Sequence, residues 1–407
     1  MEPGANNGLS PSYNILYNQP YEEITGVVSL TRLIPQSGPT VSAGQNIVFL
    51  ATNNNSFVDQ HRTYINMDLN LIGTTAANYV QPVGGSCIIQ AVNETFGEAF
   101  FPQLTDYPLL QACKNASTSL SRKTIISLTE GWNVVSGITN TSGTAITQAG
   151  GPVRFQLPLP CQTVSSTSII PLAFLIGGYR VEIITNSFAN IFGLASGNST
   201  GTSYSLTNVE MILALVKPPD SLLADYTQRI SRGEYLYFPM NQTKNFPIPT
   251  TPGSHVFINQ QIGYYKSVNN LLFTYRKVAN LTGGLVYNPS TDILQKWQVN
   301  LNLIPYPSNT YVYASGNSPV SQETLLQTIR PYNVLSESKS AYVASLSGYM
   351  NMNFESNNTF NAGIPSNNGL VTLDAYFNTN TLSGDIFNIF VEYSSPVRIG
   401  ATAQFSY

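Results

Sequence analysis

The chain has 407 residues, enough for two domains with a sizeable core each. Only 10% of the residues are charged, against roughly 25% in an average soluble domain, and the net charge is −3. This balance excludes a large electrostatic footprint for nucleic acid or an anionic membrane. Polarity comes instead from Asn, Ser, Thr, Gln and Tyr, a surface on which neighbouring copies can pack with little charge desolvation.

Residues 1–22 are rich in Asn, Pro, Ser and Tyr without periodicity and read as an extended N-terminal arm. No basic segment followed by an apolar core marks a signal peptide there, and the longest apolar run, Ile169 to Ile176, is far too short to span a membrane. Strands are predicted at ITGVVSLTRLIP (24–35), NIVFLAT (46–52), YINMDLNLIG (64–73) and SCIIQAVN (86–93). In the third of these, Ile65, Met67, Leu69 and Leu71 alternate with mostly polar residues, the period of a strand with one buried face. A short helix is predicted over YPLLQACKNAS (107–117). Further strands follow at GWNVVSGIT (131–139), VRFQLPLP (153–160), YRVEIITN (179–186) and YSLTNVEMILALV (204–216).

Lys217 to Gly233 is the clearest amphipathic helix of the chain. Leu222, Leu223, Tyr226 and Ile230 fall on one face. Asp220 is placed to cap its start, Asp225 can pair with Arg229, and Gly233 suits the left-handed position beyond its end.

The second half repeats the pattern. Strands are predicted at EYLYFPM (234–240), HVFINQQIGYY (255–265), NNLLFTYRKV (269–278), WQVNLNLIP (297–305), AYVASLSGYMNMNF (341–354), GLVTLDAYFN (369–378), DIFNIFVEYSS (385–395) and VRIGATAQFSY (397–407), with a short helix at SQETLLQTI (321–329). Four pairs of segments echo one another in the same order. NIVFL (46–50) faces NLLFT (270–274), and DLNLIG (68–73) faces NLNLIP (300–305). Leu109-Leu110-Gln111 faces Leu325-Leu326-Gln327, and GGYRVEI (177–183) faces NGLVTLD (368–374). The expectation is an all-β protein of two consecutive eight-stranded jelly-roll β-sandwiches with a few short helices: an arm over 1–22, a first roll over 23–216, a connector helix over 217–233 and a second roll over 234–407.

Catalytic and metal chemistry finds little material. Cys87, Cys113 and Cys161 are far apart and read as buried thiols, and His61 and His255 are the only histidines, so neither a zinc site nor a Ser-His or Cys-His arrangement is expected. No phosphate-binding loop is present. The carboxylate pairs Glu94/Glu98 and Glu22/Glu23 read as solvated loop charges rather than a glycosidase dyad. Trp132 and Trp297 read as core, and the 24 tyrosines as strand and contact residues. Lys and Arg do not cluster with aromatics, so sequence-specific nucleic-acid binding has no support.

The two strand series, with IIPLAFLIGGYRVEIITN (169–186) and then YSLTNVEMILALVKPPDSLLADYTQRISRGEYLYFP (204–239) passing from strand through helix to strand, resemble the double jelly-roll major capsid proteins. That group includes the coats of tailless lipid-containing phages, the adenovirus hexon, and the coats of large DNA viruses and virophages. The resemblance spans residues 24–407 and is one of architecture, with no diagnostic short motif. It implies a non-enzymatic virion protein without cofactors, forming homotrimers of hexagonal outline that tile an icosahedral shell beside minor capsid or penton proteins. The arm could touch neighbours or an internal membrane, and the Asn186–Ser203 loop is expected to face outward. The alternative is a secreted β-sandwich adhesin or carbohydrate-binding protein.

Overall fold

The computed structural model describes residues 27–52, 55–73, 78–116, 128–131, 145–146, 151–160, 169–192, 203–238, 241–265, 267–278, 287, 294–312, 349–353, 365–395, 397–400 and 403–405. The predicted arm, the strand at 132–139, the helix at 321–329, Cys161 and most of the strand at 341–354 lie outside them, as do 193–202 of the predicted outer loop.

Eight strands carry the first roll: β1 Val27–Leu33, β2 Asn46–Ala51, β3 Phe57–Ile72, β4 Ile89–Phe96, β5 Ala99–Phe100, β6 Val153–Pro158, β7 Tyr179–Thr185 and β8 Ser203–Lys217. They form two antiparallel sheets in the orders β1-β8-β3-β6 and β2-β7-β4-β5. The second roll is carried by β9 Asn241–Pro249, β10 Gly253–Gln261, β11 Val268–Arg276, β12 Leu294–Leu301, β13 Ile304–Val312, β14 Tyr349–Asn353, β15 Leu370–Thr381 and β16 Ile386–Ser394. Its sheets run β9-β16-β11-β14 and β10-β15-β12-β13. Each label of the first roll maps onto the second by adding eight, so the jelly-roll order occurs twice.

Alternation decides which side chains enter each core. Ile65, Met67, Leu69 and Leu71 of β3 point inward with Tyr179, Val181 and Ile183 of β7. The second core holds Trp297, Val299 and Leu301 of β12 against Leu271, Phe273 and Tyr275 of β11. A small sheet of Leu236–Phe238, Val397–Ile399 and Ala403–Phe405 lies apart from the second roll's two sheets. Its Leu236, Val397 and Ile399 belong to the first roll's core cluster.

Two helices matter here, α1 Tyr107–Ala116 and α2 Asp220–Ser231. In α2, Pro219 occupies the cap position and Asp220 is the first helical residue, without a side-chain capping bond. Lys217 Nζ lies 3.8 Å from Asp220 Oδ1, which draws the carboxylate toward the preceding strand. Arg229 Nε donates to Glu234 Oε2 at 3.0 Å, where the sequence suggested Asp225 as its partner. The C-terminus closes as a Schellman motif: the Gly233 amide donates to Ile230 O at 2.9 Å and the Glu234 amide to Arg229 O at 3.0 Å, with Gly233 at φ 82°.

The sequence missed three local features. EYLYFPM does not supply the second roll's first strand; that strand is β9, whose Pro247 and Pro249 disguise it, and which sits at the sheet's edge where proline is tolerated. WQVNLNLIP is not one strand but the end of β12, a two-residue turn at Asn302-Leu303 and the start of β13. The strand expected from Ser86 begins at Ile89, after a 3-10 turn at Gly84–Ile88.

Candidate functional site

All nine residues of β11 are buried. A strand at a sheet surface buries one face; this one buries both because its sheet lies between two cores. Leu271, Phe273 and Tyr275 face the second roll's own core, whereas Leu272 joins the first roll's cluster. The neighbouring β16 behaves alike: Phe387, Ile389, Val391 and Tyr393 point into the second roll and Phe390 points into the first. The outer face of the β9-β16-β11 sheet is therefore the junction between the rolls.

Asp106 is the polar centre of that junction. It follows the short strand Leu104–Thr105, and its carbonyl accepts from the amides of Leu109 at 3.0 Å and Leu110 at 3.2 Å, starting α1. Its φ of 53° is left-handed, a conformation that Asp tolerates better than most residues. The turn leaves its carboxylate free to reach the other roll. Oδ2 accepts from Asn245 Nδ2 of β9 at 3.0 Å, Asn388 Nδ2 of β16 at 3.0 Å and Arg276 Nη2 of β11 at 3.3 Å. The donors are themselves linked, Asn388 Nδ2 to Asn245 Oδ1 at 3.1 Å and Arg276 Nε to Asn388 Oδ1 at 3.2 Å. Arg276 is only 4% exposed, and a guanidinium that deeply desolvated requires paired acceptors. A second tie joins Asn186 Nδ2 of the first roll to the Tyr287 hydroxyl of the second. Asn186 Nδ2 also donates to Cys87 O at 3.0 Å. Burial pushes the Tyr287 hydroxyl and the Cys87 thiol well above their ordinary pKa values, so both stay protonated.

The helix face named from the sequence lies elsewhere. Leu222 and Tyr226 are buried in the first roll's cluster, and Leu223 and Ile230 are half-buried against it. The Tyr226 ring sits 5.9 Å from that of Phe174, which is 6.2 Å from Phe57. The junction residues Asp106, Asn245, Arg276 and Asn388 escaped the sequence because they share no local motif. The one available signal was Arg276, the first of two adjacent cations, with Lys277, that end the strand NNLLFTYR.

Other candidate groups are accounted for locally. Glu94 is not a solvated loop charge: it is buried in β4 and accepts from the Tyr179 hydroxyl at 2.9 Å, while Glu98 is exposed at the following turn. Asn186, Ile191 and Phe192, at the start of the loop expected to face outward, are buried. His255 Nε2 lies 2.5 Å from Asp374 Oδ1, and its ring stacks on Tyr376 at 4.1 Å. Among the described residues no three His, Cys, Asp or Glu side chains gather as a metal site, and no helix is long and apolar enough to cross a membrane.

No family model and no curated protein matches the sequence. Solved structures do match the fold. The PBCV-1 virus capsid superposes with a TM-score of 0.67 at 11% identity, covering 96% of this chain and 99% of that one. The Faustovirus major capsid protein gives 0.61 at 9% identity, covering 94% and 91%. A chain of the Sputnik virophage gives 0.59 at 12% identity, covering 100% and 92%. The chain has the double jelly-roll fold of these capsid proteins.

Proposed function

We propose that this protein is a major capsid protein, a structural subunit of a virion that associates with further copies of itself into homotrimeric capsomers tiling an icosahedral shell. The fold shared over nearly the whole chain with three viral capsid chains supports this reading. One observation carries the self-association. The outer face of β9-β16-β11 is covered by the first roll, but the corresponding edge of the first roll is open: Leu30 is 63% exposed and Val28 42%, both on the outer face of β1. An exposed apolar edge strand invites a partner. A chain that uses this sheet face once internally can use its copy once externally, and a head-to-tail contact of that kind gives a closed ring when its rotation is a whole fraction of a turn.

The test is the mass and outline of the purified protein. A species of three chains of 44.3 kDa with a hexagonal outline in electron micrographs is expected. Leu30→Asp lowers trimer yield while leaving the unfolding midpoint of the monomer unchanged, with an association loss of about 2 kcal/mol. A stable monomer that binds glycans would put the adhesin reading in its place.

In this reading the division into arm, first roll, connector and second roll, 1–22, 23–216, 217–233 and 234–407, is functional. Helix α2 fixes the pose of the rolls through Leu222, Leu223, Tyr226 and Ile230, and Leu223→Asp reduces trimer assembly more than it reduces folding of either roll. Unchanged trimer yield in that variant removes the connector role. The arm reaches neighbouring trimers, a minor capsid or penton protein, or an internal membrane; deleting residues 1–22 tests this by its effect on particle assembly with trimer formation intact.

A further inference from the structure

The two rolls contain the same hairpin with different chemistry at its tip. In the first roll, β4 and β5 are joined by Gly97-Glu98, with Gly97 at φ 61°. In the second, β12 and β13 are joined by Asn302-Leu303, at φ 57° and 67°. Both central residues are left-handed, the type I′ pattern that favours Asn-Gly. Asn suits its place; Leu, with a bulky side chain in the left-handed region, does not. The first roll makes the same connection with glycine and a charge, so the fold does not require leucine there. Strain held at an exposed position points to a use for the side chain.

The surroundings define that use. Leu303 is 76% exposed, beside Ile304 at 54%, and Tyr264 on the β10–β11 connection is 76% exposed. Hydrogen bonds lock this end of the roll into one platform. The Asn302 side chain donates to Pro365 O, and the Asn368 amide donates to Asn302 Oδ1 at 3.4 Å. Ser366 Oγ donates to Gly263 O at 2.7 Å and accepts from the Tyr265 amide at 2.7 Å, and the Ile262 amide donates to Gly369 O at 2.7 Å. No Asp, Glu, Lys, Arg or His occurs in 262–265, 301–306 or 365–370.

We infer that this end of the second roll inserts Leu303, Ile304 and Tyr264 into the interfacial zone of an uncharged lipid surface. Area selects the occupant. Three side chains offer on the order of 300 Å², well short of the roughly 800 Å² per partner of a specific protein contact. A continuous lipid surface needs no such complementarity: aliphatic tips enter the acyl boundary, and a tyrosine sits at headgroup level. One tip binds weakly. Several held rigidly by one assembly bind together, and only in that multivalency does the inference rest on the capsomer reading.

The test is co-flotation of the full-length protein with phosphatidylcholine vesicles. Wild type floats with the vesicles, and the bound fraction is unchanged between about 0.05 and 0.5 M salt, because no charge pairing is screened. Leu303→Asn, which suits a left-handed residue, lowers partitioning at least about tenfold while the unfolding midpoint stays level or rises. Equal binding by the variant, loss of wild-type binding in salt, or a lowered midpoint in the variant would each overturn the inference. So would cross-linking of position 303 to a protein partner without vesicle affinity. Trimer yield is read in the same samples: no trimer but retained, Leu303-dependent flotation would sink the capsomer reading alone.

Discussion

The third strands of the two rolls, β3 and β11, occupy the same place in the same topology but in different surroundings. The outward residues of β11 are all buried, and Leu272 and Arg276 among them meet the other roll. Those of β3 satisfy one another within their own sheet: Asn66 Nδ2 donates to Glu210 Oε1 at 3.0 Å, Arg154 Nη2 donates to the same oxygen at 3.2 Å, and Asn208 Nδ2 donates to Asp68 Oδ2 at 2.7 Å. Arg32 of β1 also pairs with Glu210. Inward residues build each core, with aliphatic side chains in β3 and aromatic ones prominent in β11. Outward residues decide whether a sheet face stands in solvent or closes on a partner. A polar network whose donors are paired within the sheet can do both, although Asp68 Oδ1, 3.9 Å from Arg154 Nε, accepts no hydrogen bond in it.

Unfolding one roll while following the other has the largest expected effect. Trp297 is fully buried at the centre of the second core, and Trp297→Ala costs about 3–5 kcal/mol. Differential scanning calorimetry should resolve a transition of the second roll well below that of the first. A single shifted transition would mean that the junction, not each core, sets cooperativity. Next in size is the junction itself. Asp106→Ala removes the acceptor shared by Asn245, Asn388 and Arg276, and the expected loss is about 2–3 kcal/mol, because Arg276 is buried and Asp106 only partly so. Asp106→Asn keeps an acceptor oxygen and recovers much of it. Urea unfolding of the pair measures the difference, and equal stability of Asp106→Ala and wild type would show that Leu272 and Phe390 hold the rolls without it.

The duplication was legible in the sequence, but for partly wrong reasons. Of the four echoes, GGYRVEI and NGLVTLD do lie at matching places, leading into β7 and β15. DLNLIG lies in β3 whereas NLN belongs to β12 and its turn, a fourth strand against a third; NIVFL is β2 and NLLFT is β11, a third against a second. Residues 325–327 lie outside the described residues. Alternating Leu and Ile are what any half-buried strand requires, so such matches report the common physics of strands rather than their place in the order. The order itself emerged only from pairing. Elements with strong local signals were legible: β3 through its period of two, α1, and α2 with its apolar face and Gly233. Those whose logic is tertiary were not. β9 carries two prolines that only an edge strand accepts, and the Asp106 cluster gathers residues as distant as Asp106 and Asn388, which no local window contains.

The smallest expected effect is a pH dependence in the first roll. Its seventh strand carries Glu182 on the face turned away from the core. Burial by itself raises the pKa of Glu182, but hydrogen bonds from Asn46 at 2.8 Å and Asn93 at 3.3 Å, together with Arg180 at 3.1 Å, outweigh it and hold the group below its ordinary 4.5. A folded-state pKa below the unfolded one means stability that is present above 4.5 and lost as pH falls through the folded value. The first roll should therefore lose a small increment of stability in that acid window, and Glu182→Gln should remove this slope while lowering stability slightly at neutral pH. Urea midpoints of the two proteins across the window provide the measurement; parallel curves would mean that the three donors bind the neutral acid as well as the carboxylate. Because β2, β4 and β7 each supply one of those donors, the result also reports how much the charge on the central strand contributes to holding the β2-β7-β4 sheet together.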